Sequence, residues 1–287
     1  MGGGTYSVSN RAIRSEFLGY TTKSTQEIFS QREINNAMNP YGISVRESRD
    51  SIEHPNSVAI IIALDETGSM GTVPHYLVKE GLPHIMEKII QNGIADPQVL
   101  FLGIGDHECD QAPLQVGQFE SSDELLDKWL TDIWLEGRGG GNAGESYLLA
   151  WYFAAFHTSI DCWEKRGRKG YCITIGDEPT LKKLPADILK RIMGPGQYQD
   201  FTDFELIEKA SEMYNVYHIN IKETQSGGRQ LVYESWKQLL QDNLKVANKR
   251  EDVVDIISNI VISGEQDNTI IPLKAEVVKP SVEEMIL

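Results

Sequence analysis

The sequence predicts an α/β fold with a doubly wound, mostly parallel sheet flanked by helices. Three observations carry that expectation. Short apolar runs at 58–64, 98–104, 170–175 and 215–221 read as strands buried on both faces. Amphipathic helical stretches separate them, the alternation that builds parallel sheets. Two of the runs end at an aspartate, Asp65 directly and Asp177 after Gly176. Ligands of open α/β sheets bind beyond the carboxyl ends of the strands.

In chain order, residues 1–56 read as an extension. Its start is Gly- and Ser-rich, residues 25–38 fit a modest helix, and Asn39-Pro40-Tyr41-Gly42 signals a turn. We expect a flexible arm or a strap over the domain, with partner docking or assembly as its functional alternative. The domain is expected over 57–262. After the strand at 58–64, a helix over 73–91 carries Leu77, Leu82, Ile85, Ile89 and Ile90 and stops at Asn92-Gly93. Strand 98–104 follows. Residues 114–119 alternate as a short, exposed antiparallel edge strand. Helix 123–134, a glycine-rich loop at 137–144 and an apolar helix at 145–156 lead to strand 170–175. Helices at 185–192 and 204–214, strand 215–221, helix 229–241, a short segment at 244–247 and helix 251–262 complete the body. The tail, 263–287, is expected to be irregular, because Pro272 and Pro280 prevent a long helix.

Charge narrows the classes of function. The first 56 residues are neutral, six basic against six acidic, so the whole formal charge of −15 falls on the remainder. An acidic body argues against a nucleic-acid or anionic-membrane surface and suits cations or basic proteins. Cys109, Cys162 and Cys172 are sparse and lack CxxC spacing, which points to a reducing, cytoplasmic setting. The start has no apolar signal core, and no run is long enough to span a bilayer.

The chemistry concentrates after residue 64, where Asp65-Glu66-Thr67-Gly68-Ser69-Met70 presents three oxygen side chains at alternate positions. Oxygen donors are what Mg²⁺, Mn²⁺ and Ca²⁺ select. Helix capping is the structural alternative and is equally compatible with these residues alone. A P-loop lacks its lysine here, and a haloacid dehalogenase phosphatase would need an aspartate at Thr67. Gly139, Gly141 and Gly144 spell a dinucleotide fingerprint, yet they follow a helix rather than a strand. The loop serves better to bring Asn142 and Glu145 to the sheet edge. If the strands ending at Asp65 and Asp177 are neighbours, about 4.8 Å apart, their carboxylates can share one ion.

Asp65-x-Thr67-x-Ser69 at a strand end, the Gly-rich loop and Asp177 together resemble a von Willebrand factor A (vWA) domain over about residues 57–262. The wording is close to bacterial and phage members. In that family these positions form a metal-ion-dependent adhesion site (MIDAS), with a loop threonine as a further ligand. No threonine stands in this loop. Gly141-Asn142-Ala143-Gly144-Glu145 is similar instead to the integrin β-subunit I-like domain, where a glutamate takes that place. The resemblance thus implies Asp65, Thr67, Ser69, Glu145 and Asp177 around Mg²⁺, or Mn²⁺ or Ca²⁺, the two aspartates directly or through water, with Asn142 as an outer partner; Asp106, which follows the second strand at the same edge, is expected as an outer partner or at a second cation. It also implies a non-enzymatic module that engages an acidic group of a protein partner, as adaptor of a MoxR-type AAA+ ATPase. Two rival classes remain at this point: a metal-assisted hydrolase with His107 as base, and an assembly protein that uses residues 1–56.

Overall fold

The computed structural model describes residues 4–137 and 144–270. In chain order the elements are α1 (Val8–Leu18), α2 (Thr25–Ile28), β1 (Arg46–Ser48), β2 (Val58–Asp65), α3 (Val73–Tyr76), α4 (Leu82–Gln91), β3 (Pro97–Ile104), β4 (Leu114–Val116) and α5 (Asp123–Thr131). Then come α6 (Leu148–Phe156), β5 (Thr158–Ile160), α7 (Asp161–Glu164), β6 (Gly170–Gly176), β7 (Lys183–Leu184), α8 (Ala186–Met193), β8 (Phe201–Thr202), α9 (Asp203–Met213), β9 (Tyr214–Ile221), α10 (Gln230–Leu240), β10 (Leu244–Ala247) and α11 (Asp252–Ile270). A π-helical turn, Leu77–Gly81, joins α3 to α4, so the expected helix over 73–91 is continuous.

The central sheet has the order β10-β9-β6-β2-β3-β4 and is parallel except for β4. Every residue of β2, β3 and β6 is buried, which is why these strands read as unbroken apolar runs. The pleat still sorts them. Ile60, Ile62 and Leu64 enter the core layer with α3, α4 and α11, whereas Ala59, Ile61 and Ala63 enter the layer beneath α6, α9 and α10. The next side chain on that second face is Asp65.

The fold class is as expected, and four local expectations need correction. β4 is an edge strand, but it is buried rather than exposed. A 3₁₀ turn at Asn36–Met38 lies over that edge, and Gln115 binds the carbonyl of Trp134 at 2.9 Å. The helix expected over 25–38 is two separate short turns, because Phe29 leaves helical geometry and buries its ring. The apolar helix begins at Leu148 rather than at residue 145. Glu145 is held in a parallel β-bridge with Thr180, its N–H on the Pro179 carbonyl at 2.9 Å. The last helix runs on to Ile270, so residues 263–270 are not irregular. Gly264 there has no Cβ to meet the Tyr171 hydroxyl, which donates to Glu265 at 3.0 Å.

The described part of the N-terminal segment is a strap. α1 was not foreseen, because its inward face is polar and gives no apolar periodicity. It buries Arg11, which pairs with Asp127 at 2.6 Å, donates to the Val78 carbonyl at 2.6 Å and lies over the Tyr20 ring. Farther on, β1 pairs in parallel with β5. Arg49 bonds Asp161 at 2.8 Å and Glu164 at 2.7 Å, while Arg166 reaches back to Asp50 at 2.5 Å.

Candidate metal centre

β2 sits where the winding reverses: the chain leaves it for β3 on one side and returns at β6 on the other. This switch point is the crevice where doubly wound sheets place ligands. The register pairs Leu64 with Ile175, so Asp65 and Asp177 leave adjacent strand ends together.

Four of the expected residues form one hydrogen-bonded row. Asp65 Oδ1 accepts from the Thr67 amide at 2.9 Å and the Thr67 hydroxyl at 2.6 Å. The Thr67 and Ser69 hydroxyls are 3.0 Å apart, and Ser69 donates to Asp177 Oδ1 at 2.6 Å. Asp177 Oδ2 accepts from the Ser226 amide at 3.1 Å, a contact the sequence did not announce. Gly68 is needed for close approach, since a Cβ there would stand 2.9 Å from the Gly137 carbonyl.

Sequence reasoning also missed Tyr147, which donates to Asp65 Oδ2 at 2.6 Å from full burial. It sits within the stretch expected as an apolar helix over 145–156. The available signal was the hydroxyl itself, which needs a partner when buried. Its ring meets His218 edge-on at 5.1 Å and Trp236 at 5.3 Å, and those two stack 3.5 Å apart. Trp236 is fixed in turn by the Glu178 carbonyl at 2.9 Å.

Glu145 stands beside the row without a hydrogen bond into it. Its buried Oε2 has no hydrogen-bond partner, and burial together with Asp65, Asp110 and Asp106 pushes its carboxyl far above the usual range. Burial likewise raises Asp65, with Asp177 adding to the shift and the bonds from Thr67 and Tyr147 opposing it. Glu66, the unassigned position between Asp65 and Thr67, is buried on the far side of β2, bound to the Gln115 amide and raised well above its ordinary value by burial. Asp106 is bound in its own loop through one oxygen only: Oδ1 accepts from the Glu108 amide at 2.8 Å and its N–H reaches Asp110 at 2.7 Å, while the buried Oδ2 has no hydrogen-bond partner. His107 Nδ1 meets the buried Ser146 hydroxyl at 2.8 Å, and the ring makes no hydrogen bond to Asp65 or Asp177. Asn142 lies outside the described residues.

The donor set fits a hard divalent cation. Each hydroxyl has one proton. With both aspartates ionised, as they would be around a cation, Thr67 donates to Asp65 and Ser69 to Asp177, no proton remains for the 3.0 Å contact between them, and two lone pairs face each other. Two buried carboxylates and an unpartnered third crowd together there, and their mutual repulsion and burial favour either protons or a cation. Among the described residues, no three carboxylate, imidazole or thiolate groups converge closely enough to share an ion by themselves, so the hydroxyls are essential to the set. Asp65, Thr67, Ser69 and Asp177 would hold the ion, while Glu145 does not converge with the two aspartates closely enough to complete a carboxylate set.

No protein-family model matches the chain, and no curated protein sequence does. Solved structures do. The pilus adhesin SpaC of Lactobacillus rhamnosus GG is 13% identical with a TM-score of 0.49, over 77% of this chain and 31% of that one. Proximal thread matrix protein 1 of the mussel byssus, with a zinc-occupied MIDAS motif, is 14% identical with a TM-score of 0.45, over 73% of this chain and 48% of that one. The vWF domain of the type V pilus tip protein Mfa5 of Porphyromonas gingivalis is 10% identical with a TM-score of 0.47, over 77% of this chain and 98% of that one. This chain thus spans less than half the length of the first two proteins. Among the described residues, no helix is long and apolar enough to cross a membrane.

Proposed function

We propose that this chain is a vWA-like module that binds a divalent cation at the carboxyl edge of its sheet and uses it to engage an acidic group of a partner protein. The observation that carries the reading is the row Asp65–Thr67–Ser69–Asp177 at the switch point, with hydroxyl lone pairs facing each other. A bound cation supplies an open coordination position for a carboxylate oxygen, as hard ions accept. This chain's residues supply the rest. Asp65 and Asp177 carry charge from rigid strand ends, Thr67 and Ser69 supply neutral oxygen, and Glu145 adds a carboxylate where the family has a threonine. The resting ion is then held more tightly and attracts an incoming carboxylate less. Mg²⁺ is the ion we assign, the cytoplasm the compartment, and a MoxR-type AAA+ ATPase the first partner to try.

Calorimetry on the full chain tests this. Mg²⁺ is expected to bind, and Glu145→Thr to bind it more weakly. Unchanged or tighter binding in the variant sinks the role of Glu145, and absence of binding to the wild type sinks the metal site. A pull-down in Mg²⁺ against chelator tests the bridge, and a partner retained equally in both removes it.

A further inference from the structure

Tyr147 is placed to do more than fill the core. Its hydroxyl reaches Asp65 Oδ2 across Gly176, where an added Cβ would stand 1.7 Å from the phenolic oxygen. The ring is closed in by His218 and Trp236, and the residue has no exposed surface. Asp65 Oδ1 meanwhile accepts both the amide and the hydroxyl of Thr67. Three donors therefore divide over its two oxygens, and the one on Oδ2 cannot follow if the carboxylate turns. Asp177 is similarly divided, with Ser69 on one oxygen and the Ser226 amide on the other.

Resting on the reading that Asp65 holds an ion, we propose that Tyr147 determines which ion it is. It restricts Asp65 to a single ligating oxygen and so sets the site for Mg²⁺ and Mn²⁺ against Ca²⁺. Calcium accepts many oxygens at loose geometry and favours carboxylates that chelate through both oxygens, whereas magnesium takes single oxygens in a tight octahedron. Chelation through both oxygens needs Oδ2 turned to the ion, and here it is turned to a phenol wedged between two rings. Without the hydroxyl, Oδ2 is free to turn. Gly176 belongs to the same device, since any side chain there removes the room that the phenol occupies.

The test measures affinities for Mg²⁺, Mn²⁺ and Ca²⁺ by calorimetry on the full-length wild type and Tyr147→Phe. Near-ultraviolet circular dichroism and the melting temperature report on folding. The wild type is expected to prefer Mg²⁺ and Mn²⁺. In Tyr147→Phe the ratio is expected to move toward Ca²⁺ by about tenfold, the worth of one hydrogen bond to a charged group. An equal loss for all three ions is what a purely structural tyrosine would give, and it overturns the proposal, as does an unchanged ratio. A wild type that binds none of the ions refutes the metal reading itself. Should Tyr147→Phe fail to fold, Trp236→Phe, which loosens the wedge around the Tyr147 ring, is measured in the same way: a ratio moved toward Ca²⁺ upholds the proposal, and an unchanged ratio, or a wild type that prefers Ca²⁺, overturns it.

Discussion

Replacing Arg11 by methionine asks whether the N-terminal strap belongs to the folded body. The guanidinium and the Asp127 carboxylate are both almost wholly buried, 1% and 3% exposed, at 2.6 Å. Removing one partner of such a pair leaves a charge without compensation and costs about 3–5 kcal/mol. The Val78 carbonyl also loses its donor. Arg14 remains near Asp127 at 3.3 Å, which moves the expectation to the lower end, about 3 kcal/mol. In a domain of this size that lowers the melting temperature by roughly 6–10 °C. Urea unfolding and calorimetry read both quantities. The double variant Arg11→Met, Asp127→Leu removes both charges and is expected to return to within about 1 kcal/mol of the wild type, because an apolar pair of that volume suits the site. An Arg11→Met protein within about 0.5 kcal/mol of the wild type would refute the reasoning. So would a separate, earlier transition for the strap.

Two further outcomes depend on pH. Burial and neighbouring charge hold Asp65 and Glu145 above their ordinary values, so the ion-free site carries protons that a cation must displace. Ion affinity is therefore expected to tighten from pH 6 to 8, with a binding heat that changes between PIPES and Tris buffers, which differ in ionisation enthalpy; identical heats and a flat profile would count against it. Asp161 moves the other way. Burial would raise it, but bonds from Lys165, the Asp50 amide and Arg49 outweigh that and hold it at about 2 against 3.8. A depressed carboxyl stabilises the fold above its ordinary value, and that stability is lost as pH falls through the folded one. Asp161→Asn is thus expected to unfold more easily than the wild type at pH 7, with the gap closing near pH 2. A gap of equal size at both pH values would refute the assignment.

Much of this was legible in the sequence for one physical reason. Strands buried on both faces are written as bare apolar runs, and β2, β3, β6 and β9 fall within a residue of their expected bounds. The oxygen side chains of Asp65, Thr67, Ser69 and Asp177 were legible because they follow those runs directly. What stayed hidden was written in polar or long-range contacts. α1 docks through Arg11, which no hydrophobic pattern records. Tyr147 is spelled like core, and only the strand pairing shows its hydroxyl over Gly176. Glu145 reads as the start of a helix until Thr180 captures it as a strand.

The two anchored ends of the described chain share one pole of the sheet. Gly4 is bound by His54, itself beside Asp96 at the amino end of β3, and Glu265 is bound by Tyr171 at the amino end of β6. The oxygen row lies at the other pole, the length of β2 away, about 26 Å for eight residues. A sensor surface or bead coupled near either of those residues therefore turns the pole with the oxygen row outward, toward whatever is in solution.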